Sequence, residues 1–98
     1  MNMNKKQNGT NLEIALEGRL DTVTSPELEQ EFKNSLDAAE SLTLDFAKLD
    51  YISSAGLRVL LSAHKTMSKK GGMKITNVNE IVREVFDVTG FTDILTIE

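Results

Sequence analysis

The chain contains no cysteine. That excludes disulfides, thiolate metal sites and cysteine nucleophiles, and it fits a reducing compartment. There is one proline, Pro26, and no Pro/Gly/Ser-rich stretch, so nothing reads as a linker. Basic charge is also scarce: eleven Lys and Arg face fifteen Asp and Glu, a net charge of −4. Nucleic-acid binders show the opposite, a basic surplus gathered on one face, so no nucleic-acid partner is expected. Arg58, Lys65, Lys69 and Lys70 read as a solvated helix face, the later ones complementing the helix dipole. No apolar run approaches the ~20 residues of a membrane-spanning helix. The start, MNMNKKQNGT, lacks the apolar core of a signal peptide. The expectation is a cytoplasmic protein with no membrane insertion.

What is present is ordinary globular material. Of 98 residues, 40% are hydrophobic and 27% charged, which suits one compact domain over residues 1–98. Asn8-Gly9 is a turn signal, and the polar residues 1–10 are expected to be weakly ordered or an edge strand. Asn11 to Glu17 alternates apolar and polar residues, the pattern of a half-buried strand. Ser25-Pro26-Glu27 reads as a helix start capped by Ser25, with an apolar stripe through Leu28, Phe32, Leu36 and Ala39. Leu42 to Phe46 alternates as a second strand. Ala55 to Lys70 carries Leu57, Leu60, Leu61, His64 and Met67 on one helical stripe, and Gly71-Gly72 ends it. Met73 to Thr76 is a third strand. Asn79 can cap a helix that stops near Gly90, and Ile94 to Ile97 is a last short strand.

Strands and helices alternate, which predicts an α/β domain with parallel crossovers. The strands pair an apolar face with a polar one, unlike strands buried on both sides. The helices should therefore lie mainly on one face of a mixed, mostly parallel sheet of four to five strands. A doubly wound nucleotide-binding fold, covered on both faces, is disfavoured.

No catalytic set emerges. Ile52-Ser53-Ser54-Ala55-Gly56 lacks the first glycine of a nucleophile elbow, and Ser62 to Lys65 matches S-x-x-K without its partner motifs. No phosphate-binding glycine motif occurs. The single histidine, His64, lies ten residues beyond Ser54. At ~1.5 Å per helical residue they are about 15 Å apart, too far for a proton relay. One histidine without a carboxylate cluster does not make a metal site. For a small enzyme, no base, metal or cofactor set is found.

Ser53 and Ser54 stand at the start of the second helix. Serine caps helices well, yet two hydroxyls exceed the need for one cap. Gly56 lowers helix propensity in the first turn and reads as backbone left uncovered for a partner. The position also follows a strand at the carboxyl edge of the sheet, where α/β proteins tend to place their sites.

Tyr51-Ile52-Ser53-Ser54-Ala55-Gly56-Leu57-Arg58-Val59-Leu60 resembles the signature of the STAS domain, in particular of bacterial anti-sigma factor antagonists. Gly18-Arg19-Leu20-Asp21, Leu42 to Phe46, and Val85 to Phe91 resemble other blocks of that family, in the same order. The resemblance implies a binding protein. It implies that the unphosphorylated form binds an anti-sigma factor that is often a serine kinase of histidine-kinase-like ATPase fold, freeing a sigma factor. Ser54 corresponds to the serine that the kinase phosphorylates to end binding, and a serine phosphatase would restore it. ATP would belong to the kinase, so the resemblance implies no tightly held cofactor and no enzyme activity here. Asp21, Ser53, Ser54, Ala55, Gly56, Leu57 and Arg58 are the partner-binding candidates. Asp21 is expected on a loop beside Ser54, either adding to the negative field or serving as a turn residue. The resemblance also leaves room for a STAS module without phosphorylation, in a lipid transporter or a signalling scaffold.

Two residues depart from the family pattern. Many such antagonists carry aspartate where this chain has Ser53, and often glycine where it has Arg58. Arg58, four residues past Ser54, reads either as an exposed solvated arginine or as a partner for a phosphate on Ser54. Relatives also commonly add a helix after the point where this sequence stops, at Glu98.

Overall fold

The structure, a computed structural model, describes residues 1–98. Strand β1 (Asn2–Asn8) turns back through Gly9 into β2 (Asn11–Leu20). Helix α1 (Ser25–Ser35) and a 3-10 turn (Leu36–Ala38) lead to β3 (Ser41–Ile52). Then come α2 (Ser54–Met67), β4 (Met73–Thr76), α3 (Glu80–Thr89), a second 3-10 turn (Phe91–Asp93) and β5 (Thr96–Ile97). The five strands lie in sequence order, with β1 antiparallel to β2 and the rest parallel.

That order explains the layering. Every parallel crossover steps to the next strand in the same direction. With the usual right-handed connection, each helix then falls on the same face of the sheet. Leu12, Ile14 and Leu16 of β2, Leu42, Leu44 and Phe46 of β3, and Ile75 of β4 are buried on that face. They share one core of 23 buried residues with Leu28 and Phe32 of α1, Leu60 and Met67 of α2, and Val82 and Phe86 of α3. Burying each large side chain stabilises the fold by about 1.5–3 kcal/mol. The other face carries Asn11, Glu13, Asp45, Lys74 and Thr76, part-exposed or exposed.

Several elements differ from the sequence expectation. β3 runs on to Ile52 rather than stopping at Phe46. Its register against β2 shifts between Ala15 and Glu17 and again between Gly18 and Arg19, each time by one extra residue on β3. Two bulges therefore break the period of two: buried apolar positions fall at Leu42, Leu44, Phe46, Leu49 and Ile52. Ser25 is not the cap of α1. The cap position is Thr24, and Ser25 is a buried first-turn residue whose hydroxyl donates to the Asp21 carbonyl at 2.5 Å. α2 ends at Met67, and Lys70 turns away from its own helix. Its Nζ donates to the carbonyls of Leu36 at 2.7 Å, Asp37 at 3.1 Å and Ala39 at 3.0 Å. β5 is two residues long, because the second 3-10 turn takes up the chain before it.

At both ends of the chain the local signals correspond to built features. β1 is an edge strand paired along its whole length, and its Lys5 meets Glu31 of α1 at 3.0 Å. Asn79 accepts from the Val82 amide at 2.8 Å and donates to the Leu49 carbonyl at 2.8 Å, so one side chain caps α3 and fixes it to β3. Gly90 ends α3 at φ 80°, a conformation that favours glycine. No helix is long and apolar enough to cross a membrane.

Candidate interaction site at the start of helix α2

The two bulges take up two residues of β3, so that Ile52, rather than Asp50, finishes level with the end of β2. Leu20 pairs with Ile52, and the Ser53 amide donates to the Leu20 carbonyl at 2.9 Å. The loop 21–24 after β2 and the first turn of α2 therefore leave the sheet side by side.

The tandem serines divide two roles. Ser53 has extended backbone (φ −101°, ψ 175°) and is the N-cap; its Oγ accepts from the Gly56 amide over a long 3.5 Å. Ser54 is the first helical residue and is exposed. Its hydroxyl has no capping duty and points to no partner that the fold requires.

The rest of the predicted segment splits by helical face. Gly56 and Leu57 are buried, Ala55 is half-buried and Arg58 is exposed. The reading of Gly56 as uncovered backbone is corrected. A Cβ there would lie 2.8 Å from Leu20 Cγ and 2.9 Å from Ile52 Cγ1. The missing side chain lets α2 seat directly on the ends of β2 and β3, so Gly56 is a packing requirement. Leu57 likewise belongs to the core. Both support the presented surface from below.

Asp21 lies on the neighbouring loop, as expected, with its carboxylate turned toward that loop. Oδ1 accepts from the Val23 amide at 3.0 Å, the Thr24 amide at 3.1 Å and the Thr24 hydroxyl at 3.2 Å. Arg19 Nε stands 3.7 Å from Oδ2, and its guanidinium lies 4.6 Å over the Tyr51 ring. These contacts hold the Asp21 carboxyl below the usual aspartate range. The Thr24 amide is the largest cause, partial desolvation opposes it, and the Val23 amide, the Thr24 hydroxyl and Arg19 add to the lowering. Asp21 thus fixes the loop.

On that fixed loop stands Val23, 82% exposed. Sequence reasoning did not single it out. The available signal was an apolar residue inside the polar, turn-forming run Asp21-Thr22-Val23-Thr24-Ser25. Between the starts of α1 and α2 lies a shallow cavity of about 330 Å³, lined by Thr22, Pro26, Glu29, Ala55, Arg58 and neighbours. The candidate site is thus a small surface of Ser54, Arg58, Val23 and the cavity rim over a packed base. No group of three or more His, Cys, Asp or Glu residues is placed to hold a metal ion.

The family model described as the STAS domain matches residues 2–98. The chain belongs to the STAS domain family. This STAS domain is 29% identical to the anti-sigma-B factor antagonist of Bacillus subtilis (strain 168), over 99% of this chain and 90% of that protein. It is 30% identical to the anti-sigma F factor antagonist of Paenibacillus polymyxa, over 86% of this chain and 74% of that one. Its fold superposes on the anti-sigma factor antagonist SpoIIAA in its unphosphorylated form, with a TM-score of 0.84 and 18% identity, covering 99% of this chain and 88% of that one. The phosphorylated form of Bacillus SpoIIAA gives a TM-score of 0.76 at 17% identity, covering 99% and 91%. Antagonists of this family are binding regulators rather than enzymes.

Proposed function

We propose that this STAS domain is an anti-sigma factor antagonist, switched off by phosphorylation of Ser54. One observation carries the reading. Within a segment resembling the family signature, Ser54 is the exposed hydroxyl at the first position of a helix whose cap is already supplied by Ser53. Adding a group there disturbs no internal hydrogen bond. The similarity to named antagonists, one of them known in both phosphorylated and unphosphorylated forms, supports the same reading.

In the unmodified state the partner would meet a small neutral hydroxyl, with Val23 and the cavity rim beside it. The partner would be an anti-sigma factor with a serine kinase of histidine-kinase-like ATPase fold, which supplies the ATP. The whole cycle would run in the cytoplasm. A phosphate brings about −1.5 to −2 charge at pH 7. At a helix N-terminus that charge is tolerated by the dipole and the free amides. The domain would therefore stay folded, and the change would act at the interface through bulk and repulsion. A serine phosphatase would reset it.

The experiment is capture of the partner ATPase from the native cell, followed by incubation with radiolabelled ATP. Label is expected on the wild type and not on Ser54→Ala. Label that persists in that variant would move the assignment to Ser53. Ser54→Asp is expected to bind the captured partner at least about tenfold more weakly, a difference of ~1.4 kcal/mol. Equal binding would refute the charge-based switch.

A further inference from the structure

Arg58 stands one turn past the start of α2 as an exposed cation with no ion-pair partner. A helix N-terminus carries about half a positive charge, and α2 has no acidic residue in its first turn to offset it. The first charged side chain along α2 is instead a cation. Arg58 is exposed, and none of the protein's ion pairs includes it. The carboxylates bordering this surface are engaged elsewhere. Asp21 is held by its own loop and Arg19, and Glu29, on the cavity rim, meets Lys33 at 3.8 Å.

Long helical side chains lean back toward the helix N-terminus, over the preceding turn. The residue one turn back from Arg58 is Ser54, and positions i and i+4 are neighbours at about 5–6 Å between Cβ atoms. Resting on the reading of Ser54 as phosphate acceptor, we infer that Arg58 is the intramolecular partner of a phosphate on Ser54. Its guanidinium offers two parallel N–H donors to phosphate oxygens, a geometry that lysine cannot copy. The first-turn amides add further donors. The switch then changes two things at once. In the unmodified form Arg58 presents a free positive charge beside the Ser54 hydroxyl. In the phosphorylated form that cation is withdrawn from the partner, and the anion is held in one place against α2.

The test installs phosphoserine at position 54 by genetic encoding, in the wild type, Arg58→Gln and Arg58→Lys. A ³¹P NMR titration reads the second pKa of the phosphate, and thermal melts compare each protein with and without it. In the wild type this pKa is expected below the ~6 of a free phosphoserine. It should rise by a few tenths of a unit in Arg58→Gln and fall between the two in Arg58→Lys. Arg58→Gln should leave the melting temperature of the unmodified domain unchanged or slightly raised, and lower that of the phosphoprotein. The same titration curve in wild type and Arg58→Gln, or equal melting shifts with and without phosphate, would overturn the pairing. Because encoding places the phosphate, these outcomes do not depend on which residue the kinase labels, so the pairing and the functional reading fail separately.

Discussion

At its C-terminal end α2 is fastened to the rest of the domain; at its N-terminal end it is seated from below and left open above. Past the C-terminus, Lys70 donates to three carbonyls in and just after the 3-10 turn that follows α1, the Gly71 amide donates to the Glu40 carbonyl at 2.6 Å, and the Gly72 carbonyl accepts from the Leu42 amide at 3.0 Å. At the N-terminus one long cap bond, an exposed Ser54 and an unpaired Arg58 face solvent. The only tight fit there lies underneath, where Gly56 meets Leu20 and Ile52. The difference assigns separate tasks. One end holds the helix in register; the other is where, on the proposed reading, a partner or a phosphate would be received without disturbing that register.

The most damaging way to break the contrast is to unseat the open end. Gly56→Val places a branched Cβ where Leu20 Cγ would be 2.8 Å away, inside packed core. The expected cost is about 3 kcal/mol, at the upper end for overpacking. For a domain of this size that lowers the melting temperature by more than about 10 °C. Denaturant unfolding at fixed m-value would measure it. A neutral outcome would mean that the helix start can shift freely, and the division of tasks would fail.

The fastened end comes next. Lys70→Met removes a charged donor from three carbonyls, a loss of about 2 kcal/mol. Affinity for the captured partner should stay within about twofold of the wild type, because Lys70 lies at the far end of the helix from Ser54. A large loss of partner binding with little loss of stability would reverse the assignment of the two ends.

The contrast also marks what the sequence could show. Alternating and helical periodicities located the strands and helices, and the caps at Asn79 and Gly90 were readable because cap and helix are adjacent in the chain. The fastened end was not readable. Lys70 reaches carbonyls 31 to 34 residues away, so its local context showed only a helix-terminal lysine. Gly56 was noticed but misread, because the side chains that demand a glycine, Leu20 and Ile52, come from two strands that meet only in the fold. The second half of β3 was hidden by its bulges, which changed the spacing of inward residues from two to three. Ser54 was singled out as a candidate by its motif, and the structure then separated its place from that of Ser53.

A smaller effect tests the loop that flanks the open end. Amide hydrogen bonds from Thr24 and Val23 lower the Asp21 pKa. A depressed carboxyl contributes stability that is present above its unfolded pKa of ~3.9 and lost as pH falls through the lower folded value. Stability should therefore decline on acidification below about pH 4. Asp21→Asn keeps an acceptor oxygen but cannot titrate, so its acid limb should be shallower than that of the wild type. Identical acid limbs in equilibrium unfolding from pH 2 to 7 would remove Asp21 as a charged anchor of the loop.

The smallest expected effect separates the two serines most sharply. Ser53→Ala deletes the N-cap, and because its bond to the Gly56 amide is a long 3.5 Å, the cost should sit near the low end for a lost cap, about 0.5–1 kcal/mol. Ser54→Ala deletes a hydroxyl with no internal duty, so its stability should lie within about 0.5 kcal/mol of the wild type. The order reverses for the switch: Ser53→Ala should still accept phosphate from the captured kinase, and Ser54→Ala should not. Unfolding curves and phosphate labelling of the same two variants read both halves. If Ser54→Ala were the less stable, Ser54 would be a cap after all, and any loss of label would have a structural cause. If the reversal holds, the helix start is kept by one serine so that its neighbour is free to be modified.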